Sequence, residues 1–527
     1  MNHSLLVSHP YAHPYYSDLG NGRYRNPVLH ADYSDPDVIR VGEDYWMTAS
    51  SFNCTPGLPI LHSKDLVNWT LVNHAVKNLP GERFKDVQLG SGIWAPAIRY
   101  HAGKYWIVFP MVEEGIYVTT ADNPRGEWCE PWCLVEARGW IDPCPFWDDD
   151  GKAYLIHAYA FSRSGKKETL HLRPMSPDAK SLLPGDKEII HAPHHPYLEG
   201  PKFHKFNDWY YILAPGGSVK VGWQVVYRSR NIFGPYEEKV VLEQGSTTIN
   251  GPHQGALVDI PSNNEQVPGL DGAWWFLHFQ DDKAYGRITH MNPVRWVDGW
   301  PLMGVDYDGN GIGEPVLEWE KPAIGTHYPI AVPATTDEFD LPILGLQWQW
   351  HGNHDDSFYS LSAREGWITM PARPLGKSEE GFLLPPFKAP HLMAQKFPAK
   401  EFSVEALLDG SALAEGSLSG LTIVGGGHSA WIALRKESDG WKLFYLLDTA
   451  EEQLLATLGN DKKPEVRLSV HVGSDSTCTF SYALEGESFK TAAPPFVAGE
   501  GGWIGAKVGL IAAGDTGLAA FDYFRFS

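Results

Sequence analysis

Five short aromatic runs recur in the first 300 residues, and they constrain the fold more than any other feature. They are DYWMTASS from Asp44, KYWIVFPM from Lys104, KAYLIHAY from Lys152, DWYYILAP from Asp208 and AWWFLHFQ from Ala273. Each is as long as a buried strand and is bounded by turn residues. Upstream of each lies another apolar segment. A polar turn joins the two (VGED, HAGK, DDDGK, KFND), or in the fifth case an insertion over 261–272. That is a β-hairpin repeated five times. Helical periodicity is almost absent, and the gaps suit four-stranded blades with elaborated loops. The pattern therefore predicts an all-β, five-bladed β-propeller in preference to an irregular β-sandwich.

The repeat also predicts a site. The first strand of each unit should line the central channel, with its N-terminal end on one shared face. The residues there are Asp35 in SDPD, Trp94 in IWAP, Asp142 in IDPC, Glu199 in LEGP and His253 in NGPH. A Pro follows within two residues in four units and precedes His253 in the fifth. These five residues are read as equivalent positions that converge on one cavity.

Three carboxylates around one pocket point to glycosidic bond hydrolysis by a paired acid and base. One must be ionised to activate water, the other protonated for the leaving oxygen, and a third negative charge nearby raises the acid's pKa. Trp94 and Phe52 would offer ring faces for a sugar. Arg287, in AYGRITH, is placed to bridge sugar hydroxyls or steady a carboxylate. Asp37 reads as a partner of Asp35, and Asp32 as a turn or rim residue.

The formal charge of -21 excludes a nucleic-acid partner, which needs clustered Lys and Arg. Five cysteines at irregular spacing give no disulfide framework, so a reducing, cytoplasmic setting is expected, with secretion open if a leader has been lost. No membrane span is expected.

NPVLHADYSDPDVIRVGEDYWMTASSFNCTPGLPILHSKDLVNW, GIWAPAI, WIDPCPFWDDDGKAYL and LEGPKFHKF together resemble family 43 glycoside hydrolases over about the first 320 residues. The resemblance implies a five-bladed propeller acting as an inverting β-xylosidase or α-L-arabinofuranosidase. It implies Asp35 as general base, Asp142 as pKa modulator and Glu199 as general acid. It also implies Arg287 as a substrate contact, and His253 as a channel histidine near substrate and a central calcium or water cluster. No cofactor is required on this reading, although a Ca2+ near His253 is allowed for. FNCTPG after Phe52 departs from the bulkier aromatics of xylosidase relatives, which leaves the xylose or arabinose preference open.

The domains are expected at 1–322 (propeller), 323–339 (linker) and 340–527 (accessory domain). The last reads as an antiparallel, concanavalin-like β-sandwich from runs such as FSVEALLDG, WKLFYLLD and AAFDYFRFS, the final strand closing a sheet. It is expected to play a structural role beside the pocket rather than bind sugar alone. The expected activity is exo-acting release of terminal xylosyl or arabinofuranosyl units from xylan- or arabinan-derived oligosaccharides. An endo-arabinanase of the same fold and a non-catalytic sugar-binding propeller are the rivals, and self-association is open.

Weaker signals read as structure. DYDGNGIGE from Asp306 has Leu317 where a calcium loop needs Glu, and is expected to be a surface turn. HAPHHP, from His191, reads as a loop at the pocket rim rather than a metal site. Cys129, Cys133 and Cys144 read as buried thiols, Asp148 to Asp150 as a solvated hairpin tip, and Trp274 and Trp275 as core.

Overall fold

The aromatic runs form the second strands of five four-stranded antiparallel sheets. A computed structural model describes residues 13–260, 274–377, 384–448, 451–460 and 463–527 of the chain. The first strands of blades I to V are Asp37–Val41, Ala97–His101, Trp140–Trp147, Lys202–Phe206 and His253–Asp259. Each pairs with the run that follows it, and a third and fourth strand complete the blade. The insertion expected over 261–272 lies outside the described residues.

Tight turns make these hairpins possible. Ala102 and Gly103 (φ 50° and 79°), Asn207 and Asp208 (47° and 62°), and Asp298 and Gly299 (52° and 77°) are left-handed pairs at two-residue loops. Such loops match the right-handed twist of the strands they join. Between blades the aromatic side chains interlock. Trp46 meets Tyr105 edge-on at 5.9 Å, Phe146 lies 4.6 Å from Phe203, and Phe206 meets Trp274 at 5.0 Å. Trp274 and Trp275 are core residues, as expected.

The ring closes through the N-terminal segment. Leu29 pairs with Thr289 in the third strand of blade V, and the Tyr24 hydroxyl donates to the Met291 carbonyl. Asn26 makes three bonds there: its Nδ2 donates to the carbonyls of Met291 and Val316, and its Oδ1 accepts from the Met291 N–H. A strand at Arg23–Arg25 pairs with Glu318–Glu320.

The chain divides into two units, one holding Tyr16–Phe84 and Gln88–Val332, the other chiefly Pro333–Ser527. Residues after 322 still pack on the propeller: Ile324 joins the cluster of blades I and V, and the Ala331 N–H donates to Asn68 Oδ1. The second unit is a sandwich of two seven-stranded sheets. Its strand Phe402–Asp409 alternates buried and half-buried residues, the period-two pattern of a sheet with one face in a core. The final strand, Leu518–Phe526, lies inside its sheet between Ile368–Pro371 and Phe402–Asp409. It therefore does not close an edge. Its aromatics are buried, and an interior place hides both backbone edges as well. Among the described residues no helix is long and apolar enough to cross a membrane.

Candidate active site

A repeated backbone turn builds the site. In all five blades a residue precedes Pro, and the inner strand begins or resumes two residues later. The five triplets are Asp35–Pro36–Asp37, Ala95–Pro96–Ala97, Asp142–Pro143–Cys144, Gly200–Pro201–Lys202 and Gly251–Pro252–His253. Proline disfavours the right-handed helical region for the residue before it. Asp35, Asp142, Gly200 and Gly251 take the left-handed region instead, at φ 54°, 54°, 62° and 50°. Asp tolerates that region better than most residues with a Cβ.

This turn corrects the expected equivalence. Asp35 and Asp142 share one level, at the left-handed residue. Trp94 and Glu199 stand one residue earlier. His253 stands two residues later, level with Asp37, Ala97, Cys144 and Lys202. The acids therefore come from two rungs of the channel rather than one, and the histidine from a third.

Asp35 is buried and held by donors. Its Oδ2 accepts from Ser34 Oγ at 2.7 Å and Ser50 Oγ at 2.5 Å, and its Oδ1 faces Arg287 Nη1 at 3.4 Å. Arg287 Nη1 also donates to Ser34 Oγ, so the arginine steadies the carboxylate and its neighbour together. Asp32 is no rim residue: it is buried, and its Oδ1 accepts from the Arg287 N–H. Asp37 makes no bond to Asp35. Its Oδ2 accepts from the Ile98 N–H and from Arg99 Nη1, with Lys202 Nζ 3.7 Å away.

Asp142 is also buried, and its Oδ2 accepts from the Gly200 N–H at 2.7 Å. Burial, then the negative charges of Glu199 and Asp35, hold its carboxyl well above the usual range, against the pull of Gly200 N–H and Lys202. The three acids thus share one electrostatic environment. Glu199 is the more open of the pair, with 32% of its side chain exposed, and its Oε1 lies 3.0 Å from His253 Nε2. Trp94 is half-buried, whereas Phe52, at 4% exposure, is not a free ring face. Phe52 lies beneath Trp94 with ring centroids 6.4 Å apart.

The other sequence signals resolve locally. The carboxylate of Asp306 accepts from the N–H groups of Gly309 and Gly311, which makes a turn held by its own backbone. Asp148 is not solvated; it binds Lys205 Nζ and the Tyr210 hydroxyl. Cys129 and Cys133 are exposed, while Cys144 is buried.

Two places bear on metal binding. His253 offers Nε2 to Glu199, and its Nδ1 is buried without a hydrogen-bond partner. A Cβ at Gly222 would stand 2.9 Å from that Nδ1, so the backbone closes over it. Calcium takes six to eight oxygens, and these groups by themselves do not fit it. Among the described residues, His194, His195 and Glu238 have ligating atoms within 4.8 Å of one another. The Trp223 indole N–H, however, donates to His195 Nδ1 at 3.1 Å. An indole nitrogen can only donate. Neutral His195 therefore carries its proton on Nε2, facing Glu238, with no lone pair there for a cation.

Residues 24–301 match the model of glycosyl hydrolases family 43, and 336–527 match the β-xylosidase C-terminal concanavalin A-like domain. The chain belongs to glycoside hydrolase family 43. A family relative from Xylanibacter ruminicola described as a putative beta-xylosidase is 45% identical over 363 residues, 68% of this chain and 64% of that one. A beta-xylosidase of Formosa agariphila is 31% identical, across 97% of this chain and 91% of its own. A non-reducing end alpha-L-arabinofuranosidase of Bacteroides ovatus is 27% identical, across 96% and 95%. The crystal structure of a xylan beta-1,4-xylosidase from Bacillus halodurans superposes with a TM-score of 0.80 at 25% identity, covering 95% of this chain and 99% of that one.

In this glycoside hydrolase the sequence reading missed the residues that hold the acids. Ser34 and Ser50 had no motif of their own. Ser50 reaches Asp35 because Asp37 pairs with Thr48 across the blade I hairpin, and that register was the signal available. Arg99, Lys202 and Cys144 come from three different blades, and their association needs the ring.

Proposed function

We propose that this family 43 enzyme is an inverting exo-glycosidase releasing terminal β-D-xylosyl or α-L-arabinofuranosyl units from xylan- or arabinan-derived oligosaccharides. The observation that carries the reading is the different surroundings of three acids whose charges meet at Asp142. Asp35 is clamped by three donors. Asp142 is buried and driven to its neutral form. Glu199 is open and partnered by His253. The activities of the relatives, beta-xylosidase and alpha-L-arabinofuranosidase, supply the two sugar classes.

In this mechanism Asp35 takes a proton from water as the water oxygen bonds to the anomeric carbon. The glycosidic C–O bond breaks, and Glu199 delivers its proton to the departing oxygen. Asp142, whose buried carboxyl is held above the usual range by Glu199 and Asp35, sets the charge environment beside the acid and accepts from the Gly200 N–H next to it. Inversion requires Asp35 and Glu199 to stand roughly 6.5–9.5 Å apart, with room for the water. The five free cysteines, two of them exposed, support a reducing compartment.

The test compares wild type and Glu199→Ala on aryl xyloside, aryl arabinofuranoside and xylobiose, following the first-formed anomer by NMR. Loss of the acid should cost about 10²- to 10⁴-fold on xylobiose. The loss should be smaller on aryl glycosides, whose leaving groups need less protonation. A product of retained configuration, or an unchanged rate in Glu199→Ala, would overturn the assignment.

A further inference from the structure

The channel has a second mouth. One rung below the left-handed turns, Asp37 (1% exposed), Cys144 (0%), Lys202 (1%) and His253 (1%) fill the axis with Ala97 (0%). Arg99 ties this layer together, donating to Asp37 Oδ2 and, through Nη2, to Cys144 Sγ at 2.9 Å. Beyond it the inner strands end around a cavity of about 480 Å³. All five blades contribute, through residues such as Arg40, Tyr100, Trp147, Phe206 and Asp259. Asp35, Trp94, Asp142, Glu199 and Arg287 do not border it.

The wall chemistry selects the kind of ligand. Each cation at the wall has its own anion: Arg40 is held by both oxygens of Asp259, Arg99 by Asp37, and Lys205 by Asp148. An entering anion or cation would have to compete with one of these pairs. An apolar ligand would strip water from them without replacing its hydrogen bonds, which is costly. A neutral polyhydroxylated ligand avoids both penalties. Its hydroxyls can donate to the Asp259 carboxylate and accept from the Arg40 and Arg99 guanidinium groups while the pairs stay intact. Its C–H faces lie on the aromatic rings, of which Tyr100 is 48% exposed.

We propose that this far cavity is a second carbohydrate site, for a neutral mono- or disaccharide, separate from the catalytic ring. The choice of pentoses as probes rests on the glycosidase reading above; the site itself does not.

The experiment titrates full-length Glu199→Ala, which should not consume the ligand, with xylose and xylobiose by calorimetry. Two sites per chain are expected. Adding Tyr100→Ala should weaken one of them by about tenfold. In the otherwise native chain, Tyr100→Ala should leave kcat/KM on aryl xyloside unchanged, which shows that the fold is intact. Inorganic phosphate and benzoate, as anionic probes, should not bind. A single sugar site, a second site indifferent to Tyr100→Ala, or phosphate binding sensitive to Tyr100→Ala would each overturn the proposal. If the wild type turns over neither aryl glycoside, the glycosidase reading fails while the site count still decides this one.

Discussion

Asp142 shows how a single residue can trade stability for chemistry. Its carboxyl is held well above the ordinary range by burial and by Glu199 and Asp35. The unfolded chain loses that proton near pH 3.9, the folded chain at higher pH. The stabilising contribution is therefore fully present below about pH 3.9 and is lost as pH rises through the folded value. Asp142→Asn removes the penalty while keeping an acceptor for the Gly200 N–H. The variant should melt a few degrees above wild type at pH 7, the difference closing toward pH 4, while activity falls by about 100-fold or more. A calorimetric pH series checks the first, and xylobiose hydrolysis the second. At this scale the motifs were legible in the sequence: Asp35, Asp142 and Glu199 each sit in a short motif near Pro, and the fold brings their charges together. Ser50 and Arg99 were not, because strand register and blade neighbours place them, and neither leaves a mark in local sequence.

The element that matters most is the turn before each inner strand. Gly200 takes its left-handed place in blade IV, one residue after Glu199, and gives its N–H to Asp142. A Cβ there would stand 3.0 Å from the side chains of Gln254 and Pro215. Gly42, in the blade I hairpin, is also left-handed at φ 64°, with nothing within 4 Å of its would-be Cβ. Alanine should cost about 1 kcal/mol at either position from the backbone alone. Only Gly200→Ala should also depress kcat, since it disturbs the segment that follows Glu199 and donates to Asp142. Equal kinetics in the two variants would count against that coupling. The hairpins themselves were readable from aromatic runs and polar turns. The split of the site residues over three rungs was not, since Pro marks the turn while left-handed backbone is invisible in letters. The interior position of the last strand was equally hidden, because long-range pairing decides it.

For the whole molecule, the decisive event is closing the ring. Blades I and V meet through a segment that begins near Tyr24, where Asn26 bonds the Met291 N–H and the carbonyls of Met291 and Val316. Asn26→Ala should destabilise the protein by about 2–4 kcal/mol by removing the bonds to the Met291 N–H and the Val316 carbonyl, the Met291 carbonyl keeping the Tyr24 hydroxyl. KM should stay unchanged at temperatures where the variant is folded. Denaturant melts and steady-state kinetics check both.

The buried rung of Asp37, Ala97, Cys144, Lys202 and His253 has a further consequence. A polysaccharide cannot be drawn through the ring like thread through a bead, because the hole is stoppered halfway. Each freed sugar must back out by the door through which its chain arrived.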